Sequence, residues 1–570
     1  MKLSDYITQF LIDMGIEECF GYPGGSITNL LDSIHKREDK IRAHVTYHEQ
    51  GAAFAACGYA QTSGKLGVAY ATGGPGCTNL LTGMGQAYYD SIPVLFLTGN
   101  VNTYESKGNL GIRQRGFQEA DNVAVAKPIT KYAAYVDKPE KIRYYLEKAY
   151  YIATTGRKGP VLLDLPMDIQ RAQIEPDGLQ GFDLFTTDTS KDIDSFIHAF
   201  NKEVMKAKRP CLVLGSGIKD ETSKKLAKLL VEKWNVPYVT SMIAFDVLGN
   251  HPNYFGFLGA YGIRSANFIA AKSDLIISLG SRMDIRQVGA RRENFAPGAK
   301  IIRVDNDPEE LKYKVHDDEY GFCMDAGEAL DAMLKISSNG NYDEWINVCG
   351  IIRDELKAVD RNMPNDYIFS IGEFIPSNSV ITTDVGQNQV WVAQSLKLKE
   401  DQKVLFSGGF GSMGHALPAA IGACYAAKDQ KVFCICGDGG FQMNIQELQY
   451  IVREHLPIKI VVFNNNALGM IRHFQEMYFN SVYYQTKPEG GYLAPDFTKI
   501  ANAYGIRAAS IDSVSDIEKN RDLLEDEAAA LIEIRYFEDT YIIPKLRFGN
   551  PNQDQEPEID RALYDRLMSL

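Results

Sequence analysis

The sequence predicts an α/β protein made of three doubly wound parallel-sheet domains. One observation is length, since 570 residues exceed what a single hydrophobic core supports. The other is a pattern met three times: short apolar, β-rich runs alternate with stretches of helical period, and polar segments with neither period separate the three blocks.

The first block covers residues 1–170 and closes on PVLLDLP, Pro160 to Pro166. A polar connector, Arg171 to Asp192, follows it. The second block, residues 190–338, carries the strand-like runs PCLVLGSG, SDLIISLGS and AKIIRVD, and fades at the turn-rich Ser338-Asn339-Gly340-Asn341. The third, residues 360–545, carries SVITTDVG, KVFCICGDGG, IKIVVFNNN and ALIEIRY. Residues 546–570 are polar and acidic and are expected as a tail or lid. The first and third blocks are candidates for one fold at low sequence similarity.

A net charge of −13 argues against a nucleic-acid polymer as partner, which would need a basic face. It leaves phosphate-bearing small ligands open, because backbone N–H groups bind phosphate whatever the global charge. The nine cysteines sit mostly in apolar runs with no CxxC pair, which reads as core packing in a reducing compartment. No apolar run approaches membrane-spanning length, and the N-terminus lacks a signal-peptide pattern, so a cytoplasmic protein is expected.

The strongest chemical signal lies in the third block. The run VFCIC leads into Gly437-Asp438-Gly439-Gly440, then a helical stretch, then IKIVVF ending in Asn464-Asn465-Asn466. A carboxylate and an amide at neighbouring strand ends meet at the carboxyl edge of a parallel sheet, where such sheets bind ligands. Asp438, Asn465 and a backbone carbonyl nearby, that of Ala467, offer hard oxygens to Mg²⁺ or Ca²⁺, with diphosphate oxygens completing the set. A lone GDG would be an ordinary βα turn; GDG followed at this spacing by NN is far more specific.

The motif GDG…NN is that of thiamine diphosphate enzymes, and the likeness extends further. GYPGG (Gly21 to Gly25), HEQGAA (His48 to Ala53), GPG (Gly74 to Gly76), FQE (Phe117 to Glu119), GPVLLDLP, FAPGAKIIRVDNDPEEL, DVGQNQVW, GSMGHALPAAIGA and LGMIRHFQE follow in order. Together they resemble the acetohydroxyacid (acetolactate) synthase family. The resemblance implies a pyrimidine-binding domain, a central domain and a diphosphate-binding domain, in a homodimer or homotetramer whose active site lies between subunits.

It also implies roles. Glu49 matches the glutamate that bonds the pyrimidine ring and promotes removal of the cofactor's C2 proton. Met413 matches the apolar wedge that bends the cofactor, and Gln118 faces its thiazolium side. Pro23, Gly24, Gly25, Gly74 and Asn79 contact the cofactor from the first domain. Gln387, Asn388, Gly411, Gly437, Gly439, Gly440, Met443, Leu468, Gly469 and Met470 do so from the third. Asn388 stands where the family has histidine, so a titratable ring is lost. In the central domain Gly215, Gly217, Gly259, Arg282 and Asp305 match positions that hold FAD in a structural, non-redox role, although Ala260 and Tyr261 depart from the pattern.

Departures gather on the acceptor half of the site. Met167 replaces a lysine, Ile285 an aspartate and Phe474 a tryptophan, while Arg286 keeps the arginine for an acceptor carboxylate. Beside Phe117, Arg113 and Arg115 add two cations to the loop before FQE; they are either solvated surface or contacts for phosphates. The expected reaction is decarboxylation of a 2-keto acid, pyruvate first, and carboligation to a second carbonyl. With pyruvate as acceptor the product is acetolactate; a nucleotide-linked keto-sugar is the alternative. A pyruvate-oxidase-type flavoenzyme and a non-catalytic binding subunit are the rivals from other classes.

Overall fold

A computed structural model of the chain describes residues 1–183, 190–336, 341–357, 359–360, 362–536 and 538–570. The linker expected at Ser338 to Gly340 and part of the connector after Arg171 lie outside them. Three six-stranded sheets carry the fold, and each named strand pairs in parallel with its neighbours. The α/β class read from the sequence is the one observed. The chain divides into two compact units, Met1–Phe185 with Ser379–Asn388 and Lys403–Phe537, and Thr186–Asn378 with Gln389–Gln402 and Glu538–Leu570.

The first unit contains two sheets. One is built from β1 (Glu18–Gly21), β2 (Arg42–Val45), β3 (Gly67–Ala71), β4 (Val94–Asn100), β5 (Tyr132–Tyr135) and β6 (Val161–Pro166), in the order β2-β1-β3-β4-β6-β5. The second unit's sheet has β7 (Pro210–Leu214), β8 (Tyr238–Thr240), β9 (Tyr254–Phe257), β10 (Leu275–Leu279), β11 (Lys300–Asp305) and β12 (Tyr320–Cys323). The other sheet of the first unit has β13 (Val380–Thr383), β14 (Lys403–Leu405), β15 (Val432–Gly437), β16 (Ile458–Asn464), β17 (Arg507–Ile511) and β18 (Ala530–Arg535). Its order is β14-β13-β15-β16-β18-β17, so the first and last blocks of the sequence share one topology. Strands β4 and β6 are buried at every position, and β15 and β16 at all but the last, as sheets covered on both faces require.

These two sheets share a hydrophobic core that runs through the helices Glu49–Ser63 and Ala416–Ala426. Both helices are rich in Ala and Gly, and that allows their backbones to touch. A Cβ on Gly58 would stand 2.2 Å from the Ala419 carbonyl oxygen, and one on Gly422 1.9 Å from that of Ala55. The Glu49–Ser63 helix starts at His48, whose Nδ1 accepts from the Gln50 amide at 3.0 Å, and stops at Gly64 in the left-handed conformation. Cys434 and Cys436 are core residues, as their apolar setting implied.

In the second unit the strand order is β12-β11-β10-β7-β8-β9, a doubly wound sheet whose direction of winding reverses between β7 and β10. Residues 546–570, expected as a tail or lid, are instead part of this unit's packing. Arg264 is buried and donates to the carbonyls of Gln555 (2.9 Å) and Pro557 (2.6 Å), and Asn552 donates to the Gln287 carbonyl at 2.6 Å. The terminal helix Arg561–Ser569 buries Leu567 in a core with Phe268 and Ile559. Its apolar residues Leu563 and Leu567, four apart and in step with Ile559 just before the helix, are masked by a polar average composition.

Candidate active site

Strand β15 ends at Gly437 and turns directly into the short helix Asp438–Met443, while the neighbouring β16 ends at Asn464. Asp438 Oδ2 and Asn465 Oδ1 both accept from the Ala467 amide, each at 3.2 Å. Asn465 Nδ2 donates to Gln387 Oε1 at 3.1 Å. A Cβ on Gly469 would lie 2.1 Å from that same Gln387 oxygen, and one on Gly439 would stand 2.8 Å from Leu468 and 3.1 Å from the Met413 methyl. Glycine at these points is therefore a packing requirement, and it draws Gln387, Met413, Asp438, Asn465, Ala467 and Leu468 to one sheet edge. Gly411 has a positive φ of 71° with open space around it. Met443 is half exposed and lies against Gly414, and Met470 sits in the first turn of the helix Gly469–Tyr478. Asn388 donates to the Asp384 carbonyl at 2.8 Å, and its Oδ1 lies 3.3 Å from where a Cβ on Gly437 would be.

Burial pushes the Asp438 carboxyl up to about 7, against the Gly439 amide, the Tyr492 hydroxyl and the Ala467 amide, which stabilise its charge. No Lys or Arg pairs with it among the described residues. No group of three or more His, Cys, Asp or Glu that could hold a metal occurs among those residues either. One carboxylate, one amide oxygen and a carbonyl make an incomplete shell for a hard cation. The donor set fits Mg²⁺ that brings its remaining oxygens with a diphosphate, as Mg²⁺ commonly does.

Two residues that hold this edge escaped the sequence reading. Asp384 is buried and accepts from the amides of Gly414 (3.0 Å) and Ala416 (2.9 Å), fixing the loop that carries Met413. A Cβ on Gly440 would stand 2.3 Å from its Oδ1, so one carboxylate braces both turns. It lies in the DVGQ motif, which was signal enough. Tyr492 bonds Asp438 from a loop with no motif at all.

A second group surrounds Glu49, at the carboxyl ends of β1, β3 and β4. Glu49 is 8% exposed at the start of its helix and accepts from Asn79 Nδ2 at 2.9 Å through Oε2. Its Oε1 is 3.3 Å from where a Cβ on Gly76 would be. Gly74 has a positive φ of 61° and lies under the Gln118 carbonyl, 2.6 Å from a would-be Cβ. Gln118 itself takes a φ of 62°, rare for a side chain this long. Gly24 packs on Thr72, Gly25 borders open space and Pro23 is exposed. No hydrogen bond joins Glu49 to Asp438 among the described residues.

The loop from Ser106 to Glu119 is organised by Glu119. Its carboxylate accepts from Ser106 Oγ and the amides of Lys107, Arg115 and Gly116 at 2.7–3.2 Å. Although burial pushes the carboxyl up, these bonds prevail and hold it at about 2. Arg113 and Arg115 are exposed on this loop, and neither forms an ion pair among the described residues. Phe117 is 87% exposed. Met167 opens the helix Met167–Arg171, and Phe474 packs on Tyr478 and Phe479.

In the second unit, Gly215 and Gly217 pack on Gly280 at the reversal point between β7 and β10; the Gly217 amide donates to the Gly280 carbonyl at 3.0 Å. Gly259, with φ 123°, lies against the Arg286 carbonyl, and the Arg286 guanidinium covers the Tyr261 ring. Arg282 bonds Asp284 at 3.0 Å, and Asp305, ending β11, caps the Asp307 amide at 2.9 Å. At the end of β8, Ser241 Oγ is buried without a partner among the described residues. A reversal point lined by glycines, with an unsatisfied hydroxyl nearby, suits a nucleotide.

Comparison with known proteins decides the family. Residues 1–125, 197–333 and 384–534 match the N-terminal TPP binding, central and C-terminal TPP binding domains of thiamine pyrophosphate enzymes. The chain is 34% identical to the acetolactate synthase large subunit of Lactococcus lactis over 98% of both chains. It is 34% identical to the isozyme 1 large subunit of Escherichia coli over 97% of both, and 36% to a probable large subunit of Methanococcus aeolicus over 88% and 86%. The chain belongs to the acetolactate synthase family. It is a thiamine diphosphate-dependent enzyme of the acetolactate synthase type. No helix among the described residues is long and apolar enough to cross a membrane.

Proposed function

We propose that this acetolactate synthase-type chain decarboxylates pyruvate and joins the resulting two-carbon unit to a second carbonyl, with a second pyruvate as acceptor. The observation that carries the reading is the Asp438–Asn465 pair, a buried acid without a basic partner among the described residues and a neighbouring amide, beside glycines packed against Met413, Leu468 and Gln387. Bound thiamine diphosphate supplies the electron sink for loss of CO₂, and Mg²⁺ offsets its phosphate charge. Asp438, Asn465 and the Ala467 carbonyl would hold the metal. Gln387, Gly439 and Gly469 would take the diphosphate, and Met413 would supply an apolar wall.

Glu49 holds the proton that the pyrimidine ring exchanges. Asn79 fixes the orientation of its carboxyl through Oε2, leaving Oε1 for that exchange. Gln118 would orient the reacting carbonyl, and Phe117, Met167 and Phe474 would shape the acceptor side. The three expected domains, 1–170, 190–338 and 360–545, provide pyrimidine, nucleotide and diphosphate sites in turn. The central sheet holds FAD in a structural role, and the working assembly is a cytoplasmic homodimer or larger. Anaerobic pyruvate tests the last cofactor's role: a flavin that stays oxidised during turnover fits, and one that bleaches points to an oxidase.

A nucleotide-linked keto-sugar as acceptor is the second reading. It is favoured by Arg113 and Arg115, two cations without ion-pair partners among the described residues, on a loop held in shape by Glu119. Product analysis with pyruvate alone, then with such a sugar nucleotide, separates the two.

A further inference from the structure

The segment that carries Glu49 is gripped by a buried carboxyl to which no role falls in the reading above. Glu447 has no exposed surface, and its Oε1 accepts from the Tyr47 amide at 3.0 Å. The His48 amide also bonds this carboxyl. On the other side, a Cβ on Gly51 would stand 2.7 Å from Glu447 Oε1, so the helix start is seated directly on the carboxyl. Nearby, Asn444 donates to Gln50 Oε1 at 3.2 Å and to the Gly414 carbonyl at 2.7 Å. Four successive residues, Tyr47 to Gln50, thus include three tied to one short stretch after the Asp438 helix, and the remaining one is Glu49.

We propose that Glu447 is a positioning residue for Glu49, acting through the Tyr47 and His48 amides and the backbone at Gly51. The Tyr47 and His48 amides, just before the helix, find their acceptor in this outside carboxyl, which therefore helps to set where the first helical side chain points. Burial pushes the Glu447 carboxyl up to about 7, and its Oε2 has no partner among the described residues. What the segment requires is an acceptor oxygen rather than a negative charge, and a neutral side chain of the same shape supplies it.

This inference rests on Glu49 acting on the cofactor, and the experiment keeps the two apart. Glu447→Ala, Glu447→Gln and Glu49→Gln are compared in the full-length holoenzyme, and amide hydrogen exchange is followed in the cofactor-free chain. In Glu447→Ala, exchange at Tyr47 and His48 is expected to speed up by roughly tenfold or more, as loss of a buried acceptor opens a local segment. Its kcat falls by about 10- to 100-fold with KM for pyruvate nearly unchanged, the scale of a misplaced group. Glu447→Gln restores both readouts to near wild type. Unchanged exchange in Glu447→Ala, or a Gln variant as impaired as the Ala variant, overturns the proposal. If Glu447→Ala does not fold, Gly51→Ala, which drives a methyl onto the carboxyl, must lower kcat in a way that Glu447→Asp relieves; no relief overturns it equally. A fully active Glu49→Gln enzyme would instead remove the reading on which the inference stands.

Discussion

Asp438 and Asn465 share a single donor, the Ala467 amide, 3.2 Å from an oxygen of each. That shared amide holds a carboxylate and an amide oxygen from two different strand ends at one point. No basic side chain pairs with the Asp438 carboxylate among the described residues, so a cation is the natural third party. Asp438→Ala is expected to weaken thiamine diphosphate binding in the presence of Mg²⁺ by about 100-fold or more, the scale on which a lost charge-assisted ligand operates. Fluorescence titration with and without EDTA checks it, and affinity unchanged from wild type would place the metal elsewhere.

Glu49 carries the proton-transfer prediction. Glu49→Gln keeps a side chain that Asn79 can still contact but loses a carboxyl able to exchange a proton. Turnover should fall by about 10²- to 10⁴-fold with cofactor affinity nearly intact, the usual cost of removing general acid–base help. Steady-state kinetics alongside cofactor titration tests it; equal losses in both would mean a structural residue.

His415 predicts a pH effect on stability. Burial pushes its imidazole down to about 4, so the folded chain binds a proton there less readily than the unfolded chain does. Between about 6.5 and 4 the unfolded state therefore takes up a proton that the folded state refuses, and stability is lost as pH falls through that window. The contribution is of the order of a few kcal/mol at its acid end. His415→Phe, which keeps a ring against Phe54, should lessen the fall in Tm from pH 6.5 to 4 relative to wild type. Parallel Tm curves for the two proteins would remove His415 from the acid response.

The acceptor question turns on the Glu119 loop. If a phosphate-bearing acceptor binds there, Arg113→Ala or Arg115→Ala raises its KM by about one to two orders of magnitude, as loss of a charge-assisted bond of roughly 1.5–3 kcal/mol requires. CO₂ release from pyruvate stays the same. Indifference of all kinetics to both arginines makes them solvated surface.

What could be read before the structure was local. Asp438 and Asn465 each follow an apolar strand within a few residues, so motif and sheet edge coincide in the sequence. Glu49 was legible through its motif, but its setting was not, since Asn79 bonds it from another helix and Glu447 holds the Tyr47 and His48 amides just before it. Tyr492 reaches Asp438 from a loop without period or motif. Glu119 stood inside a quoted motif, yet its four hydrogen bonds arise only once the loop closes on itself. The C-terminal segment was misjudged because averaging over Arg, Asp and Glu hid the helical spacing that buries Leu567.

The most direct test of the account is the fate of labelled carbon when the Mg²⁺- and thiamine diphosphate-loaded enzyme is given [2-¹³C]pyruvate alone. The account predicts CO₂ release with both labelled carbons of a pyruvate pair joined by a new bond in acetolactate, visible as ¹³C–¹³C coupling. Free acetaldehyde or acetate with no new carbon–carbon bond, or no CO₂ at all, would contradict it.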